Sequence, residues 1–114
     1  MSHTPIEHSE IPEDWGWYYP DARVAQSLFA ELQRELPPGH LLFGQHVETV
    51  AFRQDRDDVL YCHLDHSDKF TVIHLTWTRK REIDAQHPSV CFDGTFAEFV
   101  SEERKKYELE RADG

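Results

Sequence analysis

Between Pro20 and Leu36 the apolar residues fall three and four apart, at Val24, Ala25, Leu28, Phe29, Leu32 and Leu36, the spacing of a helix with one buried face. Pro20 suits the first helical position, Asp21 stands in the first turn beside the positive end of the helix dipole, and Pro37-Pro38-Gly39 ends the element. Arg23, Arg34 and Glu35 are left to solvent. From His46 onward the period shortens to about two. β-Branched and aromatic residues gather there in three runs, His46 to Arg53, Asp58 to Asp65 and Lys69 to Trp77. Gln54-Asp55-Arg56-Asp57 and a turn around His66-Ser67 join the runs into an antiparallel meander. After a charged connection, Thr78 to His87, the run Ser89-Val90-Cys91-Phe92 adds a fourth strand, and Asp93-Gly94 turns the chain. Thr95-Phe96-Ala97-Glu98 then matches a capping box, in which the Thr and Glu side chains satisfy each other's exposed amides. The helix that follows buries Phe96, Phe99 and Val100. From Glu102 to Arg111 it is charged apart from Tyr107 and Leu109, so only its first two turns are expected to dock. Pairs such as Glu102 with Lys106 steady the rest.

Short turns fix which side chains share a face. With Arg53 opposite Asp58 and Leu64 opposite Lys69, one face carries Val47, Thr49, Ala51, Leu60, Cys62, Leu64, Thr71, Ile73, Leu75 and Trp77. The other carries Glu48, Val50, Phe52, Val59, Tyr61, His63, Phe70, Val72, His74 and Thr76. Both sets are mostly apolar, whereas a sheet wet on one side alternates with polar residues there. Each side therefore needs a cover. The two helices are available, and so is Trp15-Gly16-Trp17-Tyr18-Tyr19, whose rings either cover a sheet face, plug the end of the core or wall a partner groove. The expected fold is α+β: a three- to four-stranded antiparallel meander flanked by an N-terminal and a C-terminal helix, in the order α-β-β-β-β-α. Residues 15–114 form a single domain and residues 1–14 a mobile acidic arm.

The composition narrows the function. With 114 residues, one domain buries roughly two-thirds of its unfolded surface and folds without a metal or disulfide staple. Apolar stretches of only a few residues fall short of the roughly 20 that cross a bilayer, and the N-terminus lacks a basic-then-apolar leader. A cytoplasmic protein with no membrane partner is expected. The net charge of −10 repels phosphate backbones and argues against nucleic acid. Residues 1–21 carry five acids and no Lys or Arg, and residues 47–68 carry six acids against two bases. Such a surface suits a protein partner with a basic surface, the chain itself being a monomer or weak homodimer. Cys62 and Cys91, set among apolar neighbours without metal or redox spacing, read as buried free thiols.

Four constellations invite chemistry. Cys62 and His63 are adjacent in a strand and point to opposite faces, which removes the base a thiol nucleophile needs, and neither Ser27 nor Ser67 has the flanking glycines of a nucleophile elbow. His63 and Asp65, with His66 or Asp68 from the turn, have the ligand types of a hairpin metal site but not a specific spacing, so neither metal nor cofactor is expected. Glu48 opposite His63, with His74 on the same face, forms the alternative catalytic set: a small-molecule enzyme or binding protein using a Glu/His pocket on the sheet. The leading set is a binding patch of Trp15, Trp17, Tyr61, Val72 and His74.

At Asp57-Asp58-Val59-Leu60 and Thr71-Val72-Ile73-His74-Leu75-Thr76-Trp77, followed by Pro88 and Phe92-Asp93-Gly94-Thr95-Phe96, the chain resembles a family of small uncharacterised bacterial proteins that share this strand block. The resemblance covers about the last two-thirds of the chain and implies a compact bacterial domain; no activity is attached to that family, so the resemblance points to no catalytic residue. From the charge and the missing catalytic motifs, the expected function is that of a non-enzymatic acidic domain that binds another protein, as an immunity-type or accessory factor.

Overall fold

The computed structural model describes Ile11 and residues 15–53, 57–66, 68–76 and 88–113, side chains of 110–113 excepted. The elements run β1 (Trp17–Tyr18), α1 (Ala22–Glu35), β2 (Val47–Arg53), β3 (Asp58–His63), β4 (Phe70–His74), β5 (Ser89–Gly94) and α2 (Phe96–Asp113). The strands form one antiparallel sheet in the order β1-β2-β3-β4-β5. The fold is thus the α+β meander expected, with a short extra strand contributed by the aromatic segment at one edge. The acidic arm, Ile11 excepted, falls outside the described residues, as do Trp77 and the connection Thr78 to His87. Ile11 itself is buried, and its amide donates to the Tyr19 hydroxyl at 3.2 Å.

Both faces of the sheet are apolar and both are covered. Leu28, Leu32 and Leu36, along and just beyond α1, pack with Leu42, Val47, Val59, Tyr61, Ile73 and Leu75. On the opposite face Phe99 of α2 packs with Trp15, Trp17, Val50, Ala51, Leu60, Cys62, Phe70 and Val72. The division differs from the sequence expectation because the register slips twice. In β2 an extra residue at Val50 places both Val50 and Ala51 toward α2, so that Glu48 faces Cys62 and Val47 faces His63. Between β3 and β4 the connection holds five residues instead of four, with Asp68 in the left-handed region at φ 56°, so Cys62 pairs with Phe70 and the two faces of β4 exchange. The β2–β3 hairpin keeps the expected Arg53–Asp58 pairing.

Each helix starts on a side-chain cap. Asp21 is the cap of α1 and not a first-turn residue: its carboxylate accepts from the Val24 amide at 2.9 Å. Pro20 therefore precedes the helix. Phe29, assigned to the buried stripe, is 36% exposed, while Glu35, assigned to solvent, is fully buried. A physical reason is visible: Glu35 Oε1 accepts from the Thr76 amide, which has run past the end of the β4 ladder. At α2 the capping box forms as expected, Glu98 N donating to Thr95 Oγ1 at 3.1 Å and Thr95 N to Glu98 Oε1 at 2.9 Å. A Cβ on Gly94 would come 2.5 Å from Glu98 Oε1, so a larger residue there would have to displace that carboxylate within the box.

The second helix docks further than two turns. Glu103, in its third turn, is 5% exposed and accepts from Trp17 Nε1 at 2.9 Å, with the Arg53 guanidinium 3.7 Å away. Tyr107, a turn later, lies 6.1 Å from the Trp15 ring. Among the described side chains of the helix, the ion pairs are Glu102–Lys105 and Glu103–Lys106 in place of Glu102–Lys106.

Candidate functional site

Helix α1 crosses its face of the sheet obliquely. Thr49 Oγ1 donates to the Ala25 carbonyl at 3.2 Å, Tyr61 Oη to the Leu28 carbonyl at 2.9 Å, and Glu35 meets Thr76 at the far side. Where the β2–β3 hairpin extends beyond the start of α1, the helix cannot follow it, and a groove of about 350 Å³ remains. Val24, Leu28, Phe52 and Val59 line it, and Arg23, Ser27 and Asp57 stand at its exposed margin. Arg23 and Ser27 are four apart and so share one face of the helix. The exposed Tyr18 ring lies 5.9 Å from Phe52 and carries the apolar surface out to the edge strand. Strand alternation explains this: Trp17 points toward α2 and Tyr18 toward the groove.

The residues singled out from sequence are dispersed. Trp15, Trp17 and Val72 lie buried under α2, Trp17 edge-on to Phe99 at 5.3 Å. Tyr61 is buried on the other face, where desolvation, together with the nearby Glu35 and Glu31, holds its hydroxyl far above the usual phenol range. His74 is exposed on the α2 side of β4, its Nδ1 2.9 Å from Asp58 Oδ1. It therefore does not lie on one face with His63, contrary to the sequence register. Glu48 does not face His63 either, being paired with Cys62. Glu48, His63 and His74 thus do not converge on one pocket. Neither Tyr18 nor Phe52 stands among the residues singled out from sequence: Phe52 falls on a sheet face expected to be covered, and Tyr18 turns away from Trp17 only because the segment pairs with β2 as a strand.

His63 instead meets Thr71, Nε2 to Oγ1 at 2.7 Å, and Thr71 Oγ1 donates to Asp93 Oδ1 at 2.6 Å. Asp65 of the same hairpin is engaged by His46 at 2.8 Å. Among the described residues no three His, Cys, Asp or Glu side chains are placed to share a metal ion. Cys62 is a buried thiol, as expected, pushed up to about 11 by burial and by Glu48. Cys91 is exposed, contrary to expectation, because the bulge between Val72 and Ile73 falls opposite it at the sheet edge. Partial desolvation and then the Asp58 carboxylate, 3.9 Å from Sγ, raise its thiol as well, the opposite of what activates a nucleophile.

Comparison with known proteins finds no matching family model, no matching curated protein and no matching solved structure. No helix among the described residues is long and apolar enough to cross a membrane.

Proposed function

We propose that the protein is a cytoplasmic binding domain for another protein with a basic surface, of immunity or accessory type, and that the groove between α1 and the β2–β3 hairpin is its contact surface. One observation carries the reading: an apolar, concave strip from Leu28 through Phe52 to Tyr18 remains open on a chain whose net charge is −10. Apolar anchors in such a strip supply affinity; the charged side chains lining it, Arg23, Arg53 and Asp57, are mixed in sign, so it is the net charge of the whole chain that favours the approach of a positively charged partner and sets its salt dependence. The Trp15–Tyr19 segment enters this reading through Tyr18 rather than through its tryptophans, which are occupied by α2.

The test is affinity capture from the native cell with three chains: wild type, Tyr18→Asp and Phe52→Asp, with Leu41→Asp as a surface control since Leu41 is exposed and outside the groove. Circular dichroism verifies folding of each. The reading requires a partner that both groove variants lose, that the control retains, and whose affinity for the purified wild type falls as salt is raised. A partner held equally by all four chains overturns the groove as contact surface.

A further inference from the structure

We propose that His63, Thr71 and Asp93 form a proton-operated latch that holds the β3–β4 turn closed and releases it when His63 takes up a second proton. The direction of the hydrogen bonds carries the argument. Thr71 Oγ1 has a single proton and gives it to Asp93 Oδ1, so the contact with His63 Nε2 is made by a ring N–H donating to Thr71. The neutral ring is thereby fixed with its proton on Nε2 and a lone pair on Nδ1. That Nδ1 atom is buried with no hydrogen-bonding partner among the described residues. His63 is 6% exposed and Thr71 fully buried, so a second proton places a cationic N–H where nothing described accepts it.

The charged neighbours do not rescue that cation. On the turn, Lys69 and His66 oppose it, the His66 ring lying 6.2 Å away. On β5, Asp93 favours it, but acts through the Thr71 hydroxyl and also faces Lys69 at 3.9 Å. From β2 the residue opposite is the apolar Val47, and Glu48 turns to the other face against Cys62. Burial, then Lys69, accordingly lowers His63 from its ordinary value.

What the latch holds is equally specific. The His63 amide donates to the Lys69 carbonyl at 2.9 Å and the Leu64 amide to the His46 carbonyl at 2.8 Å, closing the turn on β4 and on the approach to β2. Asp68, in the same turn, accepts from the first amide of α2, Phe96 N, at 3.0 Å. Expelling the His63 ring therefore loosens both the turn and the start of α2.

Imidazole and amide NMR on the full chain tests this. At about pH 7.5 His63 should show the Nε2–H tautomer. As the pH falls below 6.5, the ordinary histidine value, exchange protection at Leu64 and Phe96 should decline by up to about tenfold per pH unit, the limit for one linked proton. His63→Gln, whose amide can replace the Nε2 donor without titrating, should lose that dependence, while His46→Gln, altering the exposed pair with Asp65, should keep it. An Nδ1–H tautomer, titration of His63 at or above 6.5, or constant protection down to about pH 5 overturns the latch. If His63→Gln does not fold, these wild-type measurements decide alone.

Discussion

The two faces of the sheet are closed by different means. Under α1 the contact is aliphatic apart from Tyr61, with Leu28, Leu32 and Leu36 laid on Val59, Ile73 and Leu75. Its buried carboxylates lie on the helix itself, at Glu31, beside Arg34 at 3.1 Å, and at Glu35. Under α2 the contact is a chain of rings, Trp17, Phe92 and Phe96 all meeting Phe99 between 5.3 and 5.9 Å. Beyond that chain one carboxylate, Glu103, is drawn inward by the Trp17 indole and the Arg53 guanidinium. An aliphatic stripe docks a helix along its length because many small contacts add up. A helix with only a few large apolar side chains docks where its rings are, and needs a satisfied polar group to extend the contact.

Truncating the centre of each cluster gives the largest effects. Phe99→Ala should cost about 3 to 5 kcal/mol and Leu32→Ala about 3 kcal/mol, both side chains being fully buried, as measured by denaturant unfolding. A larger loss for Leu32→Ala than for Phe99→Ala would show that the ring chain contributes less than the aliphatic stripe. Glu103→Gln should cost about 1 to 3 kcal/mol, because it keeps an acceptor for Trp17 but removes the charge facing the buried Arg53. No change would mean that neither Arg53 nor Lys106, 3.2 Å away, contributes to holding the Glu103 charge. The helix starts differ less: Asp21→Ala and Thr95→Ala should each cost about 1 kcal/mol, and Thr95→Ala should also raise amide exchange at Glu98.

A smaller, pH-dependent contrast comes from Cys62, which belongs to the α2 face. Its thiol is raised from 9.0 to about 11 in the folded chain, so the folded state binds the proton more tightly. That contribution is complete below about pH 9 and is lost as the pH rises toward 11. Wild type should therefore lose stability over this window relative to Cys62→Ala. A thiol reagent at about pH 8 should modify the exposed Cys91 while Cys62 stays protected until the sheet opens.

The candidate groove was only partly legible in the sequence. Phe52 and Val59 appeared together on one sheet face, but the groove between them and α1 exists only where the packed helix leaves the end of the hairpin uncovered. Tyr18 could have been found from the alternation in Trp17-Tyr18, had the segment been treated as a strand. The supposed partnership of Glu48 with His63 failed on one inserted residue at Val50, and that of His63 with His74 failed on one extra residue in the turn before Lys69. Side-chain period in a strand is two, so a single residue moves a group to the other side of the sheet.

The sequence by itself determined α1, the four strands after it, α2 and the need for two covers, though not β1: the three-and-four spacing of α1, the meander, the Thr95–Glu98 box and the apolar character of both strand faces are local patterns that survive any arrangement. Only the tertiary structure decided which face each strand residue joined, why Glu35 and Glu103 are buried, and how His63 comes to lean on Thr71 and Asp93. Those outcomes depend on bulges and on polar partners brought from distant parts of the chain. Such partners lower the cost of burying a charge or an imidazole only once the chain has closed around them.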